Sequence, residues 1–273
     1  MAQTSPTFRR RRLARRLRQM REQAGMTLEA AAPRLDKTRS SLGRVETGQS
    51  RADVHLVRSM MDLYDHYDPD LLDLAREARR PGWWTKYNID DRGFIGMETE
   101  AATEFEASIV HVPGLLQTED YMRAVFASGL TTARGDRVAA RVHRQARLAD
   151  AEFPLELVAI VDEAALRKQI GGVEVMRDQL QHLVEKAQLP SVTLQVLRNR
   201  DGAHAGMDGS FILLSFPDEE ELDLLYVSHI VGSLHIEKPE EVAAARLAFD
   251  RLRSEALSPA NSVAFVERMR DEL

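Results

Sequence analysis

The 273-residue sequence contains no cysteine. This absence excludes disulfide bonds, thiol catalysis and thiolate metal sites, and it is typical of a protein that works in a reducing cytosol. No apolar run approaches the roughly 18 residues that a membrane span needs, and no apolar stretch of a signal peptide follows the arginine-rich N-terminus. The sequence therefore predicts a cytoplasmic protein without a membrane partner.

The short motifs of common enzyme classes are also missing, since there is no P-loop, dinucleotide fingerprint or deaminase signature. Asp201, His204 and Asp208 lie on a glycine-rich stretch and have ligand chemistry suited to a metal. Their spacing is unspecific, however, and no HExxH-like pair accompanies them. We therefore expect no metal and no cofactor.

A catalytic triad is the other enzymatic alternative. Asp223, Ser228 and His229 supply its residue types. Adjacent residues on a strand point to opposite faces of a sheet, so Ser228 and His229 cannot pair as neighbours. The sequence predicts a protein that is not an enzyme.

Charge is distributed very unevenly along the chain. Residues 1–60 carry 14 lysines and arginines against 5 acidic residues, a net charge of +9, whereas residues 61–273 have a net charge of −15. A compact basic segment joined to an acidic body is typical of a DNA-binding head, because cations near phosphates release condensed counterions. The alternative is a basic tail without structure on an unrelated protein.

The spacing of apolar residues in the basic segment predicts consecutive short helices. Apolar positions recur at intervals of four, three and four from Leu13 to Ala24, which indicates one amphipathic helix. Gly25 suits the left-handed position that ends a helix, and Thr27 suits the N-cap of a second helix over Leu28–Leu35. A turn at Asp36 then leads into further helices.

Thr38 is the predicted N-cap of a third helix, which ends near Gly48. An apolar-periodic segment from Val54 to Tyr64 follows and can close the core. These features predict an all-α N-terminal helix-turn-helix domain. They are followed by a larger body with several strand patterns.

The segments LRQMREQAGMTLEAAA and TRSSLGRVETG resemble the repressor-type helix-turn-helix family called the xenobiotic-response-element (lambda-repressor-like) type. The resemblance extends from Leu13 to Tyr64 and implies that the third helix lies in the major groove of double-stranded DNA. It places Arg39, Ser40 and Arg44 at base-reading positions. It also implies an ion pair between the first and third helices, here Arg21 with Glu46.

Other residues are predicted to contact phosphate or to support a helix N-terminus, namely Thr27, Thr38 and Ser41. The four arginines Arg9, Arg10, Arg11 and Arg12 precede the predicted first helix. They are interpreted as phosphate contacts or as an arm reaching the minor groove, with a solvated helix start as the alternative. The sequence departs from the family at Leu28, Pro33 and Asp36, which leaves the angle of helix presentation open.

The predicted domains are residues 1–80, a junction at 81–94, and an α+β (mixed α/β) body at 95–273. The pair Pro81-Gly82 marks the junction. Trp83 and Trp84 follow it, and they either pack the two domains together or bind a ligand or partner. In the body, strands such as LELVAIV, SVTLQVL and SFILLSF alternate with amphipathic helices, which indicates a central sheet.

Strings of the body such as VPGLLQTEDYMRAV, VDEAALR and GAHAGMDGSF resemble an uncharacterised domain of actinobacterial regulators, over roughly Ile95 to Met269. That resemblance implies an antitoxin-like or developmental regulator with a small acidic partner protein encoded nearby. Asp162 and Glu163 at a strand end either receive a cationic ligand group or cap the next helix. His204 lies either on a pocket rim or in a simple turn.

The leading functional hypothesis is a homodimeric transcriptional regulator that binds specific DNA sequences and acts as a repressor. Such a protein would be associated with the nucleoid when it is bound to DNA. A small partner protein or a ligand would act through the body. The alternatives are an antitoxin-like protein that sequesters a small partner and represses its own gene, and a metabolite-sensing regulator.

Overall fold

The structure is a computed structural model of the chain. It describes residues 8–87, 89, 92–128, 134–218 and 221–273. The chain divides into two compact units, an N-terminal unit that runs to Thr85 and includes Ile95–Met97, and a C-terminal unit of Lys86–Phe94 with Glu98–Leu273. The boundaries that the sequence places at residues 80 and 95 stay a prediction.

The N-terminal unit is helical, as predicted. Its helices are α1 (Phe8–Gln23), α2 (Leu28–Arg34), α3 (Arg39–Glu46), α4 (Val54–Tyr64) and α5 (Pro69–Glu77). Their apolar faces form one core, which includes Leu13, Leu17, Leu42, Val57, Met60 and Leu71. Burial of this shared core, rather than helix propensity, stabilises helices as short as α2 and α3.

Local sequence signals define the ends of α2 and α3. The Thr27 hydroxyl oxygen accepts a hydrogen bond from the backbone N–H of Ala30 at 3.2 Å, and Thr38 accepts one from Ser41 at 3.1 Å. Both predicted N-caps are therefore confirmed. Asp36 adopts the left-handed conformation, with φ of 52°, so the turn between the helices forms without the glycine that often occupies this position.

The start of the first helix differs from the prediction. Helix α1 begins at Phe8, so Arg9–Arg12 belong to its first turns instead of preceding it. Phe8 is 8% exposed and packs as a core residue, which extends the buried stripe of α1 by more than one turn before Leu13. The expectation that these arginines precede the first helix is therefore wrong, and their contact with phosphate or with the minor groove stays a prediction.

The C-terminal unit contains a six-stranded mixed sheet. Its strands are β1 (Thr103–Ser108), β2 (Glu156–Asp162), β3 (Val192–Leu197), β4 (Phe211–Ser215), β5 (Leu224–His229) and β6 (Gly232–Ile236), in the order β3-β2-β1-β4-β5-β6. Strands β1 to β3 are parallel, whereas β4 pairs antiparallel with β1 and continues antiparallel through β5 to β6. The mixed α/β body predicted from the sequence is confirmed.

Seven helices accompany this sheet in the described residues. They are α6 (Arg92–Glu100), α7 (Glu119–Ala127), α8 (Arg134–Gln145), α9 (Glu163–Arg167), α10 (Val173–Lys186), α11 (Pro239–Glu255) and α12 (Pro259–Asp271). Thr118 and Ser258 are the N-caps of α7 and α12, and their side chains accept hydrogen bonds from the backbone N–H groups of Tyr121 and Asn261. Within the described part of the chain, no helix combines the length and the apolar character that crossing a membrane requires.

The two faces of the sheet differ in chemistry. On one face, Phe105 of β1 packs with Phe249 of α11 in a core that also takes side chains from β2, β4 and β5. On the other face, β1 presents Glu104, Glu106 and Ser108, because alternate residues of a strand point in the same direction. One face is thus an ordinary apolar core and the other contains buried carboxylates.

Candidate DNA-binding surface

Helix α3 separates an inner from an outer face. Leu42 is fully buried and Val45 is 4% exposed, so these two residues hold the helix to the core. The predicted base-reading residues Arg39, Ser40 and Arg44 are all exposed. The structure therefore places the three residues where a groove-entering helix needs them, and their contacts with DNA stay a prediction.

The two arginines of this face have different surroundings. Arg39 forms an ion pair with Glu29 of α2, although both side chains are more than half exposed. A hydrogen bond from its own backbone amide lowers the pKa of the Glu29 carboxyl, and the positive charge of Arg39 lowers it further. Arg44 is exposed, and its side chain has no hydrogen bond or ion pair to any described residue.

Arg44 is consequently the arginine of α3 that can turn to an external partner without breaking an internal contact. A guanidinium group can donate two parallel hydrogen bonds to O6 and N7 of guanine, which is worth about 1–3 kcal/mol of discrimination against a wrong base. Arg39 can do the same only after it leaves Glu29 or while it keeps one N–H directed at that carboxylate. The sequence predicted both arginines as base-reading residues but gave no sign of the ion pair between Arg39 and Glu29.

A buried ion pair sets the position of α3 against α1. Arg21 donates from Nε and Nη2 to the two carboxylate oxygens of Glu46, both at 2.8 Å. The residues are 7% and 6% exposed, and Arg21 also donates from Nη1 to the carbonyl of Met26 at 2.7 Å. The hydrogen bonds that Arg21 donates to Glu46 raise the pKa of Arg21. This confirms the ion pair that the family resemblance implies.

The residues predicted at phosphate positions lie around helix N-termini. The oxygen of Thr38 is already an acceptor for the N–H of Ser41, which leaves the hydroxyl hydrogen of Thr38 for an outside acceptor. At the start of α2 the oxygen of Thr27 likewise accepts from the N–H of Ala30, but the Thr27 hydroxyl also hydrogen-bonds to the Glu29 carboxylate. Thr27 and Thr38 are exposed and Ser41 is half-buried, so the two caps present hydroxyl groups toward solvent.

The arginines at the start of α1 are only partly exposed. All four are half-buried, namely Arg9, Arg10, Arg11 and Arg12. Burial lowers the pKa of Arg10, and the nearby charge of Arg51 lowers it further. The positive charges of these arginines attract phosphate, and their role in DNA binding stays a prediction.

The two tryptophans lie in the N-terminal unit. Trp84 is 8% exposed and its ring meets that of Trp83 edge-on, with centroids 5.9 Å apart. A Cβ at Gly82 would lie 2.3 Å from the Trp84 ring, so only glycine fits beside it. Trp84 is thus a packed residue, whereas the half-buried Trp83 retains an accessible surface. Neither predicted role, domain packing or ligand binding, is tested.

The remaining candidates for binding a ligand or partner, Asp162, Glu163 and His204, lie in the C-terminal unit. One carboxylate oxygen of Asp162 caps α9 at 2.7 Å, and the other lies 3.0 Å from Nε2 of His204. Glu163 accepts a hydrogen bond from the backbone N–H of Asn199 at 3.0 Å. The capping alternative is therefore confirmed for Asp162. These carboxylates already have internal partners, which disfavours their use as ligand groups.

Metal chemistry finds no support in the same region. Asp201 pairs with Arg198 at 2.9 Å, and His204 pairs with Asp162. Among the described residues, no group of three histidine or acidic side chains is arranged to hold a metal ion.

Comparison with known families agrees with the two-part organisation. Residues 12–75 match a family described as a helix-turn-helix domain. The match covers most of α1, all of α2 to α4 and most of α5, and it supports DNA binding and transcription regulation. Residues 91–268, more than half of the chain, match a domain of unknown function, DUF5753. No curated protein and no solved structure matches the chain. The chain belongs to the DUF5753 family and has a helix-turn-helix domain at its N-terminus.

Proposed function

We propose that this protein is a sequence-specific DNA-binding repressor in which α3 enters the major groove and Arg39, Ser40 and Arg44 contact bases. The observation that carries this proposal is the exposure of these three side chains on a helix that Leu42 and the Arg21–Glu46 pair hold in place. A fixed orientation of α3 matters because base reading requires hydrogen-bond donors at fixed positions. The protein acts as a regulator and not as an enzyme.

Electrostatics supports the same assignment. The net charge of +9 over residues 1–60 attracts phosphate without regard to sequence. The capped N-termini of α2 and α3 offer hydroxyl and amide donors to phosphates, and such contacts fix the position of a protein along the duplex. Arg44 then adds sequence information, because its guanidinium has no competing acceptor among the described residues. General attraction and base discrimination thus depend on different residues.

A direct test compares Arg44→Ala with Arg58→Ala, which removes an equal charge from the exposed face of α4. Operator fragments would first be selected from genomic DNA by the wild-type protein, and binding to operator and random DNA would be measured by fluorescence anisotropy at one salt concentration. We expect Arg44→Ala to lose about tenfold or more in operator affinity beyond its loss on random DNA. Arg58→Ala should weaken both equally. An equal loss for Arg44→Ala would refute base reading.

We further propose that the protein acts as a dimer through its C-terminal unit. Strand β6 forms one edge of the sheet, and no strand of the described chain covers it. At the turn that precedes it, Ile230 and Val231 are 92% and 86% exposed, and Leu234 within the strand is 52% exposed. An apolar, unpaired edge favours pairing with an identical edge in a second copy.

Light scattering coupled to size-exclusion chromatography tests this proposal. We expect a dimer for the wild type and a monomer for Ile230→Asp, with Leu222→Asp, another exposed apolar residue, as the matched control. A wild-type monomer that becomes a stable complex only with the product of a neighbouring gene would favour the antitoxin-like alternative, in which this edge binds a small partner protein.

A further inference from the structure

The sheet face opposite the Phe249 core contains a group of carboxylates that the DNA-binding function does not use. We call Glu98, Glu104 and Glu106 the carboxylate cluster. Glu98 lies on α6, and the other two lie on the same face of β1. All three are nearly inaccessible to solvent, with exposures of 3%, 0% and 6%. Buried acids are rare unless a partner compensates for their loss of water.

Compensation within the cluster is incomplete. Glu98 has a charged partner, because Nε of Arg144 donates to its Oε2 at 2.5 Å. Glu106 has one defined partner, the hydroxyl of Ser108, which donates to Oε1 at 2.8 Å. Glu104 has none, since neither of its carboxylate oxygens has a hydrogen-bond partner in the described structure. A buried carboxylate without a hydrogen-bond partner is destabilising, so a donor that reached Glu104 would be bound favourably.

The neighbouring arginines do not fill this gap. Arg147 donates to two backbone carbonyls, of Glu98 at 2.6 Å and of Ala101 at 3.0 Å. Arg141 donates to the amide oxygen of Gln117 at 2.7 Å. These guanidinium groups therefore act on Glu104 and Glu106 through space and form no ion pair with them in the described residues.

Aromatic and aliphatic side chains share this face of the sheet. Ile212 on β4 lies directly opposite Glu106, and Tyr226 on β5 lies opposite Ile212, so the three side chains point the same way. The ring of Phe94 stacks on that of Tyr226, with centroids 4.1 Å apart. The guanidinium of Arg144 lies over the Phe94 ring, 5.4 Å from its centroid. The cluster thus shares its sheet face with apolar side chains, and such low-polarity surroundings strengthen the attraction between a carboxylate and an organic cation.

We propose that the carboxylate cluster is a binding site for a small organic cation with N–H donors, a primary ammonium or a guanidinium group. Two of its N–H groups would donate to the oxygens of Glu104, and a third would donate to the oxygen of Glu106 that Ser108 leaves free. The apolar part of the ligand would lie along Ile212 and Tyr226. A metal ion is a poorer match, because no described group of three acids and histidines has the arrangement of a metal site.

The charges around Glu104 make this binding depend on pH. Burial raises the pKa of Glu104 well above its usual value, and the negative charges of Glu98 and Glu106 raise it further, so this carboxyl holds its proton to a higher pH than a solvated glutamate. A bound cation replaces that proton, and the net charge of the region stays the same. Five other charged or titratable groups act on the two glutamates. They are Glu98 of α6, Arg141 and Arg144 of α8, His111 after β1, and Arg147 after α8.

Thermal unfolding of the full-length protein tests for binding, with n-butylamine and agmatine as probes and 1-butanol as the neutral control. We expect at least one of the two cations to raise the melting temperature in a saturable manner, because a ligand that binds only the folded state stabilises it. Butanol should have no such effect. If neither cation stabilises the protein, or if butanol matches them, the proposal is wrong.

Glu104→Gln provides the decisive variant, since it retains the shape of the side chain and removes its charge. We expect at least a tenfold loss of cation affinity by calorimetry without a lower melting temperature in the absence of ligand. Glu241→Gln, an exposed acid on α11, should bind like the wild type. Equal binding by Glu104→Gln would overturn the assignment.

A second measurement does not depend on the variant. Wild-type affinity should increase as the pH rises from about 5.5 to 8, and calorimetry in two buffers of different ionisation enthalpy should reveal one proton released for each cation bound. An affinity that is independent of pH and involves no proton release would contradict the exchange. Cation binding does not rest on the proposed DNA-binding function. A protein that binds the cation but no operator would refute that function and leave the cation site standing.

Discussion

Arg39 on α3 forms an ion pair with Glu29 on α2, and this pair joins the two helices of the helix-turn-helix at their solvent-exposed side. The acid lies beside one of the two arginines proposed to read bases, while Arg44 has no such neighbour among the described residues. Glu29 restrains the Arg39 side chain and also places a negative charge near the phosphates of a bound duplex. The two effects act in opposite directions on DNA binding.

Glu29→Gln separates these effects. Affinity for random DNA should rise by less than about tenfold, because one charge that repels phosphate is removed and an exposed pair contributes little. Discrimination between operator and random DNA should fall, because Arg39 loses its restraint. Anisotropy titrations over a range of salt concentrations measure both quantities.

The matched control is Glu22→Gln. Glu22 is also exposed; it pairs with Arg18 within α1, and its Oε1 lies 3.6 Å from Nη2 of Arg21. It should change affinity for random DNA in the same direction and leave discrimination unchanged. An equal change in discrimination for both variants would show that the Glu29–Arg39 pair has no specific role.

The buried Arg21–Glu46 pair should dominate the stability of the N-terminal unit. Glu46→Leu leaves the Arg21 guanidinium buried without its counter-ion and should lower the free energy of unfolding by roughly 3–5 kcal/mol. The double variant Arg21→Met with Glu46→Leu removes both charges and should lose much less. Urea unfolding of the two single variants and the double variant measures the coupling. Additive losses would mean that the pair itself contributes little.

Much of the N-terminal unit could be predicted because its signals are local. A threonine before an apolar-periodic run predicted the caps at Thr27 and Thr38, and the tolerance of aspartate for the left-handed region explained Asp36. The Arg21–Glu46 pair followed from resemblance. The Glu29–Arg39 pair did not, because two exposed residues ten positions apart give no periodic signal.

The C-terminal unit was less predictable for a physical reason. Acids that alternate with apolar residues, as in TEFEAS of β1, usually indicate a strand with one solvated face, yet Glu104 and Glu106 are buried. Helix α6 was missed, and so was β6, whose sequence GSLHI is short and contains polar residues. The antiparallel pairing of β4 with β1 depends on contacts between distant segments, which strand patterns alone do not specify.

The turn at Asp36 offers a test of backbone strain. Asp36 is exposed and has a φ of 52°, a region that aspartate tolerates and β-branched residues avoid. Asp36→Gly should leave stability unchanged or raise it slightly, whereas Asp36→Val should lower it by about 1–2 kcal/mol. Thermal unfolding of both variants checks this order. A Val variant as stable as the Gly variant would mean that the turn adopts another conformation in solution.

The cap at Thr38 should affect stability and DNA binding separately. Thr38→Ala removes the acceptor for the N–H of Ser41 and should lower the free energy of unfolding by about 1 kcal/mol, and Thr38→Ser should restore it. Thr27→Ala removes the equivalent cap of α2 and serves as the comparison. If the Thr38 hydroxyl also binds phosphate, Thr38→Ala will reduce affinity for random and operator DNA alike at a temperature where the protein is fully folded. Unchanged affinity would limit Thr38 to capping.

The pH dependence of stability should identify the buried carboxyl of Glu104. Because its pKa is raised in the folded protein above the usual 4.5, the native state retains a proton that the unfolded state releases. Stability from this group is therefore fully present below about pH 4.5 and is lost as the pH rises toward the folded pKa. Glu104→Gln removes the titration, so the stability of this variant relative to the wild type should increase with pH. Urea unfolding without ligand, followed from about pH 5 to 8, measures the difference, with Glu241→Gln as the control. A difference that is constant over this range would show that Glu104 titrates normally, and the unpartnered carboxylate would then have to be stabilised by solvent.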